Sequence, residues 1–280
     1  MTTSSTQFGG FNDPELVSAL DELPFWSAPF GELLLETVRL KPNLKVLDIG
    51  SGMGFPVLEL AQRLGKTSYL VALDPWQAAT DRLRQKMAQY GIENVVVSNG
   101  PAEKIPYEDG SFDLITSNNG LNNIQDWRQA WRECSRVAKG GAQMVVTENL
   151  PGTMLEFYQS LEASLQELRL DQFLSGIPEH IYSKRKPLEE TRQIARENSF
   201  QILEEHHRQF TLRFLDGTTL LNHFLIRLAF LPAWQSMIPE EERERVFQRV
   251  EEKLNQLAEE KGELVLTVPL VCFDCRKLDK

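Results

Sequence analysis

The sequence predicts an α/β fold with a doubly wound, seven-stranded, mostly parallel sheet that carries helical cap insertions. Short apolar runs alternate with amphipathic segments between residues 45 and 147, the pattern expected where parallel strands are joined by helical crossovers. A Gly-rich loop follows the first of these runs. Beyond residue 150 longer helical stretches replace the alternation, so one α/β domain with insertions accounts for the 280 residues.

The N-terminal half is predicted element by element from its apolar periodicity. Residues 1–12 are expected to be a flexible lead, followed by helices over 14–20 and 30–40, the first of them capped by Asp13 with Pro14 in its first turn. The core strands are predicted at 45–50, 69–73, 94–97, 112–116 and 142–147, and the helices between them at 56–64, 77–90 and 126–138.

The C-terminal half is predicted to complete the sheet and to carry the insertions. Helices are expected over 154–168, 188–197, from Thr218 onward and over 240–261, with an irregular segment at 173–186. Residues 201–215 fit one long strand or two short ones, and 263–273 is the last, reversed strand. The apolar stripe of the helix over 240–261 predicts that it docks onto the body of the protein. The basic cluster 184–186 is interpreted as a solvated loop in preference to an anion site.

Composition limits the partners and the compartment. Forty Asp and Glu residues against 30 Lys and Arg give a net charge of −10, which argues against nucleic acid. Three cysteines are too few for a disulfide framework in a chain of this length. The first residues lack a signal-peptide pattern, and the most apolar stretch, 220–231, is too short to span a bilayer. We therefore expect a cytoplasmic protein without stable membrane insertion, in an oligomeric state that these patterns leave open.

The most informative motif is the loop that follows the strand at 45–50. Asp48 ends this strand, and Gly50, Gly52 and Gly54 lead into a helix, so a nucleotide-like ligand can lie against main-chain N–H groups. Phe55 stands where a dinucleotide fingerprint needs its third glycine, and the Lys-Ser/Thr of a P-loop is absent. Because the loop also offers no Lys or Arg for a phosphate, it suits a ligand with a cationic end and no phosphate.

Asp74 supplies the second half of this predicted site. It closes the second strand 24 residues beyond the first glycine, where an acidic side chain can accept hydrogen bonds from both hydroxyls of a ribose. Two further motifs follow in order, and both lie within the core. They are Gly100-Pro-Ala-Glu103, continued by Ile105-Pro106 and Gly110-Ser-Phe-Asp113, and Val137-Ala-Lys-Gly-Gly141.

With these four motifs, the sequence resembles the class I S-adenosylmethionine-dependent methyltransferases over about residues 40–150, and within them the type 11/25-like, small-molecule group. The resemblance implies a Rossmann-like methyltransferase fold and S-adenosyl-L-methionine as cofactor, with no metal. The residues that it assigns to the cofactor are Asp48, Gly50, Ser51, Gly52, Gly54, Asp74, Pro75, Trp76, Ala102, Glu103 and Asn118.

The resemblance also implies which part of the cofactor each stretch holds. The glycine loop would bind the methionine part, Asp74 the ribose, and Ala102 with Glu103 the adenine, while Asn118 would lie near the methionine end. Pro101 departs from the family, which commonly has an acid there, so adenine recognition must rely on backbone groups, Glu103 or a neighbour. The alternative interpretation of the asparagines at 118–123 is a turn and a helix cap, and we favour capping for Asn122 and Asn123.

The implied reaction is in-line methyl transfer to a small or medium-sized organic acceptor, with S-adenosyl-L-homocysteine as product. Such transfer depends mainly on positioning and on exclusion of water. A base is needed only where the acceptor must lose a proton, and the candidates are His180, Tyr182 and His223. Cys272 and Cys275 form a C-x-x-C spacing without a second ligand pair, so we expect neither metal binding nor redox chemistry there.

Three alternatives stay open within this interpretation. The chain could methylate arsenite, which would need several thiols close together, or a quinone or lipid intermediate, or it could bind the cofactor without catalysis. The predicted organisation has three parts. Residues 1–40 form an N-terminal helical lid, 41–150 the S-adenosylmethionine-binding core, and 151–280 the remainder of the same domain with helical substrate-cap insertions.

Overall fold

Seven apolar stretches of the chain form the strands of one sheet. A computed structural model describes residues 12–22 and 25–279, so most of the predicted flexible lead lies outside the described residues. The strands are β1 (Lys45–Ile49), β2 (Tyr69–Asp74), β3 (Val95–Asn99), β4 (Phe112–Asn118), β5 (Ala138–Asn149), β6 (Phe200–Phe214) and β7 (Leu264–Lys277).

The strand order is β3-β2-β1-β4-β5-β7-β6, and the sheet is mixed and mostly parallel, which confirms the predicted fold class. The four pairings among β1 to β5 are all parallel, and Leu47 of β1 pairs with Val71 on one side and Ile115 on the other. The order reverses between β1 and β4, which are adjacent although two strands separate them in sequence. Open α/β sheets bind ligands beyond the carboxyl ends of their strands at such a point.

Two helices precede β1, and helices occupy every connection between strands except the one from β3 to β4 within the described residues. In chain order they are α1 (Pro14–Asp21), α2 (Ala28–Thr37), α3 (Val57–Leu64), α4 (Gln77–Tyr90), α5 (Trp127–Val137), α6 (Leu155–Glu167), α7 (Gly176–Lys184), α8 (Leu188–Glu197), α9 (Gly217–Asn222), α10 (Leu231–Gln235) and α11 (Glu240–Lys261). The helical insertions predicted after the fifth and sixth strands are present as α6 to α8 and α9 to α11.

The described chain divides into two compact units. Unit 1 contains residues up to 148, 188–207 and 270 onward, and unit 2 contains 149–187 and 208–269. Because both units are built from separated stretches of chain, the boundaries predicted at residues 40 and 150 stay predictions. None of the helices among the described residues combines the length and the apolar character that a membrane span requires.

Unit 1 contains the core of the sheet and the N-terminal helices. Asp13 caps α1 as predicted, since its side chain accepts a hydrogen bond of 2.9 Å from the backbone N–H of Glu15. The other end of α1 is fixed to α4, because Asp21 receives Arg82 at 2.9 Å and Lys86 at 2.7 Å. These two contacts place the first predicted lid helix against the helix that follows β2.

Unit 2 is a helical assembly around buried aromatic side chains. The stripe predicted on α11 is buried at Val246, Val250 and Leu254, and within this unit α11 packs against α6 and α9. Phe157 of α6 stacks on Trp234 of α10 with 3.7 Å between ring centroids. Both rings are almost fully buried, so they form the apolar centre of this unit.

Two local predictions are corrected or resolved. The segment predicted as irregular at 173–186 contains α7, because Pro178 occupies its first turn, where the missing N–H has no intrahelical partner to lose. Residues 201–215 form one strand, β6, and not two.

Glu148, near the end of β5, is a buried acid whose hydrogen-bond partner within the described part of the chain is neutral. It is 6% exposed and accepts a hydrogen bond of 2.9 Å from the Thr191 hydroxyl of α8. Burial raises the pKa of this carboxyl from its ordinary 4.5 to about 7, although the hydrogen bond from Thr191 lowers it. Between these two values the folded protein keeps a proton that the unfolded chain has lost, so stability decreases as the pH rises.

We expect Glu148→Gln to reduce the loss of stability between about pH 5 and pH 8, by on the order of 2 kcal/mol. Urea unfolding at both pH values measures this. Asp48, whose burial also raises its pKa to about 7, should keep part of the pH dependence in the variant. Glu133→Gln is the control, because the pKa of Glu133 is lowered by its hydrogen bond with Arg136 and this carboxyl is ionised across the range. An unchanged pH dependence in Glu148→Gln would contradict the assignment.

Candidate functional site

A cavity of about 430 Å³ lies at the carboxyl ends of β1, β2 and β4, where the strand order reverses. Its volume is within the range of small-molecule sites in proteins. The residues that line it are Ile49, Gly50, Leu73, Asp74, Pro75, Trp76, Gly100, Pro101, Ala102, Glu103, Asn118, Asn119, Gly120, Asn123, Ile124 and Gln125. The cavity therefore brings together seven of the eleven predicted cofactor residues.

Two glycines shape the floor of this cavity. Gly50 has φ of 72°, which favours glycine, and its N–H donates to the carbonyl of Leu73 at 2.9 Å. A Cβ on Gly50 would lie 3.0 Å from the Cα of Gly120, in the loop after β4. A Cβ on Gly120 would lie 2.7 Å from the carbonyl oxygen of Ile49. Sequence reasoning missed Gly120, although a lone glycine in an asparagine-rich loop was the available signal.

Asp74 connects the glycine loop to the start of α4. One carboxylate oxygen accepts from the N–H of Gly52 at 2.8 Å, and the other from the N–H of Trp76 at 2.8 Å. Burial raises the pKa of this carboxyl, while the two backbone hydrogen bonds lower it. Each carboxylate oxygen can accept a further hydrogen bond, so the side chain can still bind two ligand hydroxyls from the cavity side.

Asp48, near the end of β1, and Ser51, within the glycine loop, do not line the cavity. The Thr116 hydroxyl donates to Asp48 Oδ1 at 2.6 Å, while Asp48 Oδ2 and Ser51 Oγ have no hydrogen-bond partner among the described residues. Each of these two side chains is 1% exposed. Buried oxygens are nearly always satisfied by protein, water or ligand, so two orphans beside one loop indicate that further polar atoms belong there. Gly52 and Gly54 also lie outside the cavity lining.

The adjoining wall of the cavity comes from the ends of β2 and β3. Pro75 and Trp76 follow Asp74, and Pro101, Ala102 and Glu103 follow β3. The backbone carbonyl of Glu103 accepts from Gln129 Nε2 of α5 at 3.3 Å, so this loop is supported from behind. The proline that replaces the family's acid thus lies in the lining itself.

Asn118 connects the segment before α2 to the end of β4. Its Nδ2 donates to the carbonyl of Ser27 at 3.2 Å, and its Oδ1 accepts from the Thr147 hydroxyl at 2.9 Å. Asn119 has φ of 54°, and its N–H donates to Thr147 Oγ1 at 3.0 Å. Thr147 of β5 therefore positions two cavity-lining asparagines, a role that the sequence pattern did not indicate.

The capping prediction for Asn122 and Asn123 is wrong. The N-cap of α5 is Asp126, whose side chain accepts from the N–H of Gln129 at 3.0 Å. Asn122 Nδ2 donates to Asn119 Oδ1 at 2.9 Å, and Asn123 Nδ2 donates to the Asn119 carbonyl at 3.1 Å. These two side chains stabilise the turn after β4, because three residues separate Asn123 from the first turn of the helix.

The cavity lining is acidic. Asp74 and Glu103 are its charged residues, and Lys, Arg and His do not occur in it among the described residues. A phosphate would therefore meet negative charge without a cationic partner, whereas a ligand with a positive charge would be attracted. This agrees with the ligand class predicted from the loop.

The three candidate bases belong to unit 2 and do not line the cavity. Burial and the charges of Arg185 and Lys184 lower the pKa of His180 to about 4. Tyr182 is 47% exposed and lies 4.0 Å beneath the ammonium of Lys186. His223 packs against Phe214, and burial lowers its pKa. Their role in catalysis stays a prediction.

The three cysteines are buried, and none of them forms a disulfide within the described part of the chain. They are Cys134, Cys272 and Cys275. Burial raises the pKa of Cys134 and Cys275, so neither thiol is activated as a nucleophile. Among residues 12–22 and 25–279, no group of His, Cys, Asp or Glu is arranged to hold a metal ion.

Comparison with known proteins adds independent evidence for this region. Residues 47–146 match the family model of a methyltransferase domain. A demethylmenaquinone methyltransferase of Bacillus cereus is 32% identical over 127 residues, which are 44% of this chain and 54% of that protein. The chain thus spans about half the length of the curated relatives it matches.

Solved structures share the architecture at low sequence identity. The YcgJ protein of Bacillus subtilis has a TM-score of 0.58 at 16% identity, covering 90% of this chain and all of its own. Phosphoethanolamine N-methyltransferase 2 of Haemonchus contortus, solved with S-adenosylhomocysteine, has a TM-score of 0.54 at 15% identity, covering 89% of this chain and 52% of that one. At these identities the structural matches support the fold alone.

Proposed function

Because residues 47–146 are a methyltransferase domain with the class I fold, we propose that the chain transfers the methyl group of S-adenosyl-L-methionine to a small or medium-sized organic acceptor. S-adenosyl-L-homocysteine is the second product. The observation that carries the proposal is the cavity at the reversal of strand order, which Asp74 lines and in which cationic side chains do not occur among the described lining residues.

The residues present fit this cofactor from end to end. Asp74 would accept hydrogen bonds from the two ribose hydroxyls, and Trp76 and Ala102 would border the adenosine. Gly50 and Asn118, at the ends of β1 and β4, would hold the methionine part. The unsatisfied oxygens of Asp48 and Ser51 could bind its ammonium group through an intervening water.

The sulfonium of the cofactor supplies an activated methyl group, so the chain's own contribution is to hold and enclose it. The glycine, proline and alanine residues in the cavity lining allow the cofactor to lie close to the backbone. The hydrogen bond from Asn118 to the Ser27 carbonyl connects the segment before α2 to the site. A general base is not required unless the acceptor must lose a proton. Methyl transfer therefore does not depend on His180, Tyr182 or His223 lining this cavity.

Among the alternative acceptors, a quinone is favoured over arsenite. The curated relatives that match are demethylmenaquinone methyltransferases, whose name gives a quinone as their acceptor. Arsenite methylation would need accessible thiols close together, whereas the three cysteines of this chain are each fully buried. We further propose that the protein acts in the cytoplasm, which agrees with cysteines that form no disulfide among the described residues. Its net charge of −10 would repel nucleic acid, which supports a small-molecule acceptor.

Calorimetry with S-adenosyl-L-homocysteine tests the cofactor assignment directly. We expect binding of this ligand, and no binding of ATP or NAD, since the cavity offers their phosphates no cation. Binding of either phosphate-bearing nucleotide with equal affinity, or failure to bind S-adenosyl-L-homocysteine, would overturn the proposal. A metabolite screen, with a quinone included, read by the mass of the methylated product, then identifies the acceptor. Binding without any methylated product would favour the non-catalytic alternative.

A further inference from the structure

Arg185 is a buried arginine without an acidic partner. It follows α7, where its backbone N–H donates to the carbonyl of Ile181 at 2.8 Å, and it is 3% exposed. The interpretation of the cluster 184–186 as a solvated loop is therefore wrong for Arg185, whose side chain turns inward while Lys184 remains exposed. No ion pair joins Arg185 to a carboxylate among the described residues.

The surroundings of this guanidinium are polar but neutral. Its Nη1 donates to the hydroxyl oxygen of Tyr158 at 3.0 Å, and its central carbon lies 5.7 Å from the centroid of the same ring. The Nε1 of Trp234 donates to the same oxygen at 3.3 Å. Nε of Arg185 is buried and has no partner among the described residues. The neutral hydroxyl oxygen of Tyr158 thus accepts from two donors, while the Nε–H of Arg185 has no acceptor among the described residues.

Nearby groups do not neutralise the charge. The ring centroid of His180 lies 6.1 Å from that of Tyr158, and the low pKa of His180, about 4, leaves it uncharged at physiological pH. Lys184, the last residue of α7, adds a second positive charge next to Arg185 in the chain. An uncompensated buried cation costs several kcal/mol, and buried charges in folded proteins are normally paired. This arrangement is understandable if the partner is a ligand.

We propose that unit 2 contains an anion site, built on Arg185 and Tyr158, that binds the carboxylate or phosphate group of a small molecule. Nε and the adjacent amino nitrogen of a guanidinium present two parallel N–H groups, which match two oxygens of such an anion. The hydroxyl of Tyr158 already accepts from both Arg185 and Trp234, so its own proton points elsewhere and can be donated to the same ligand. The site lies within unit 2 and does not depend on the proposed methyl transfer.

Thermal unfolding in the presence of simple anions tests the site. The probes are sodium phosphate and sodium acetate, with sodium chloride at matched ionic strength as reference. We expect phosphate, acetate or both to raise the midpoint of the native protein by about 3 °C or more, and the larger shift identifies the preferred anion. Arg185→Met should abolish the shift. Because this change removes an unpaired buried charge, its midpoint without anion should equal or exceed that of the native protein.

Arg213→Met is the matched control in the same unit. Arg213 is exposed and paired with Glu263 through a bond of 2.9 Å, so this variant should keep the full anion-induced shift. An equal shift in Arg185→Met, or no shift beyond chloride in the native protein, would overturn the proposal. A midpoint of Arg185→Met far below that of the native protein would also do so, since it would give Arg185 a structural role.

A second measurement does not rely on the Met variant folding. In protein labelled with ¹⁵N-arginine, the Nε–H resonance that disappears in Arg185→Lys is assigned to Arg185, and phosphate or acetate should shift it. A resonance that stays unmoved at saturating anion contradicts the site. Binding of S-adenosyl-L-homocysteine should be unchanged in Arg185→Lys, because Arg185 is not among the residues lining the cofactor cavity. Failure of the anion site and failure of the cofactor site therefore give different results.

Discussion

Replacing Asp74 with alanine should weaken the binding of S-adenosyl-L-homocysteine by about 100-fold, or roughly 2.7 kcal/mol. In the proposed complex the carboxylate accepts hydrogen bonds from two ribose hydroxyls, and each bond to a charged acceptor contributes more than a neutral one. The same carboxylate already accepts the N–H groups of Gly52 and Trp76. Its removal therefore also deletes the hydrogen bonds that hold the loop after β1 and the residue that precedes α4.

Calorimetry on matched variants separates these effects from a general loss of structure. Asp81→Ala serves as control, because Asp81 lies on α4 outside the cavity and forms an exposed ion pair of 2.8 Å with Arg84. Its affinity should equal that of the native protein. Asp74→Asn keeps one carbonyl oxygen, so its affinity for S-adenosyl-L-homocysteine should lie between those of Asp74→Ala and the native protein. Equal affinity of Asp74→Ala and the native protein would remove Asp74 from the site.

The order of elements was predictable because each depends on local chemistry. Alternating apolar runs and amphipathic segments identified β1 to β5 and the helices between them, and Asp13 with Pro14 marked the start of α1. The helix α7 was missed because its glycine and proline, Gly176 and Pro178, are usually read as breakers. Their position in the first turn, where neither residue disrupts the hydrogen-bond ladder, is not visible from composition.

The candidate site was predictable only in part, because the spacing of a motif identifies a residue but not the direction in which its side chain points. Asp74 and Asn118 line the cavity as expected, whereas Asp48, one residue before the end of β1, is buried against Thr116 and does not line it. Thr147 positions Asn118 and Asn119 through hydrogen bonds, although at least 28 residues separate it from them in the sequence. The burial of Arg185 depends on Tyr158 in another helix. Such long-range partners have no signal in a single sequence.

The cavity floor gives the second large effect. We expect Gly120→Ala to lower the free energy of unfolding by about 3 kcal/mol and the affinity for S-adenosyl-L-homocysteine by about 10-fold or more. The added methyl would lie 2.7 Å from the carbonyl oxygen of Ile49, 2.8 Å from Ser117 Oγ and 3.2 Å from the Cα of Gly50. Two of these are backbone atoms, so relief requires the loops after β1 and β4 to move apart.

Gly100→Ala is the control that isolates this close approach. Gly100 lines the same cavity, but a Cβ there would meet its nearest neighbour, Leu73 Cδ1, only at 3.9 Å, an ordinary contact. Urea unfolding should therefore distinguish the two variants clearly, with Gly100→Ala within about 1 kcal/mol of the native protein. Equal stability of both variants would mean that the loops after β1 and β4 separate without cost, which would contradict a close approach of Gly120 to Ile49 and Gly50 as a structural requirement.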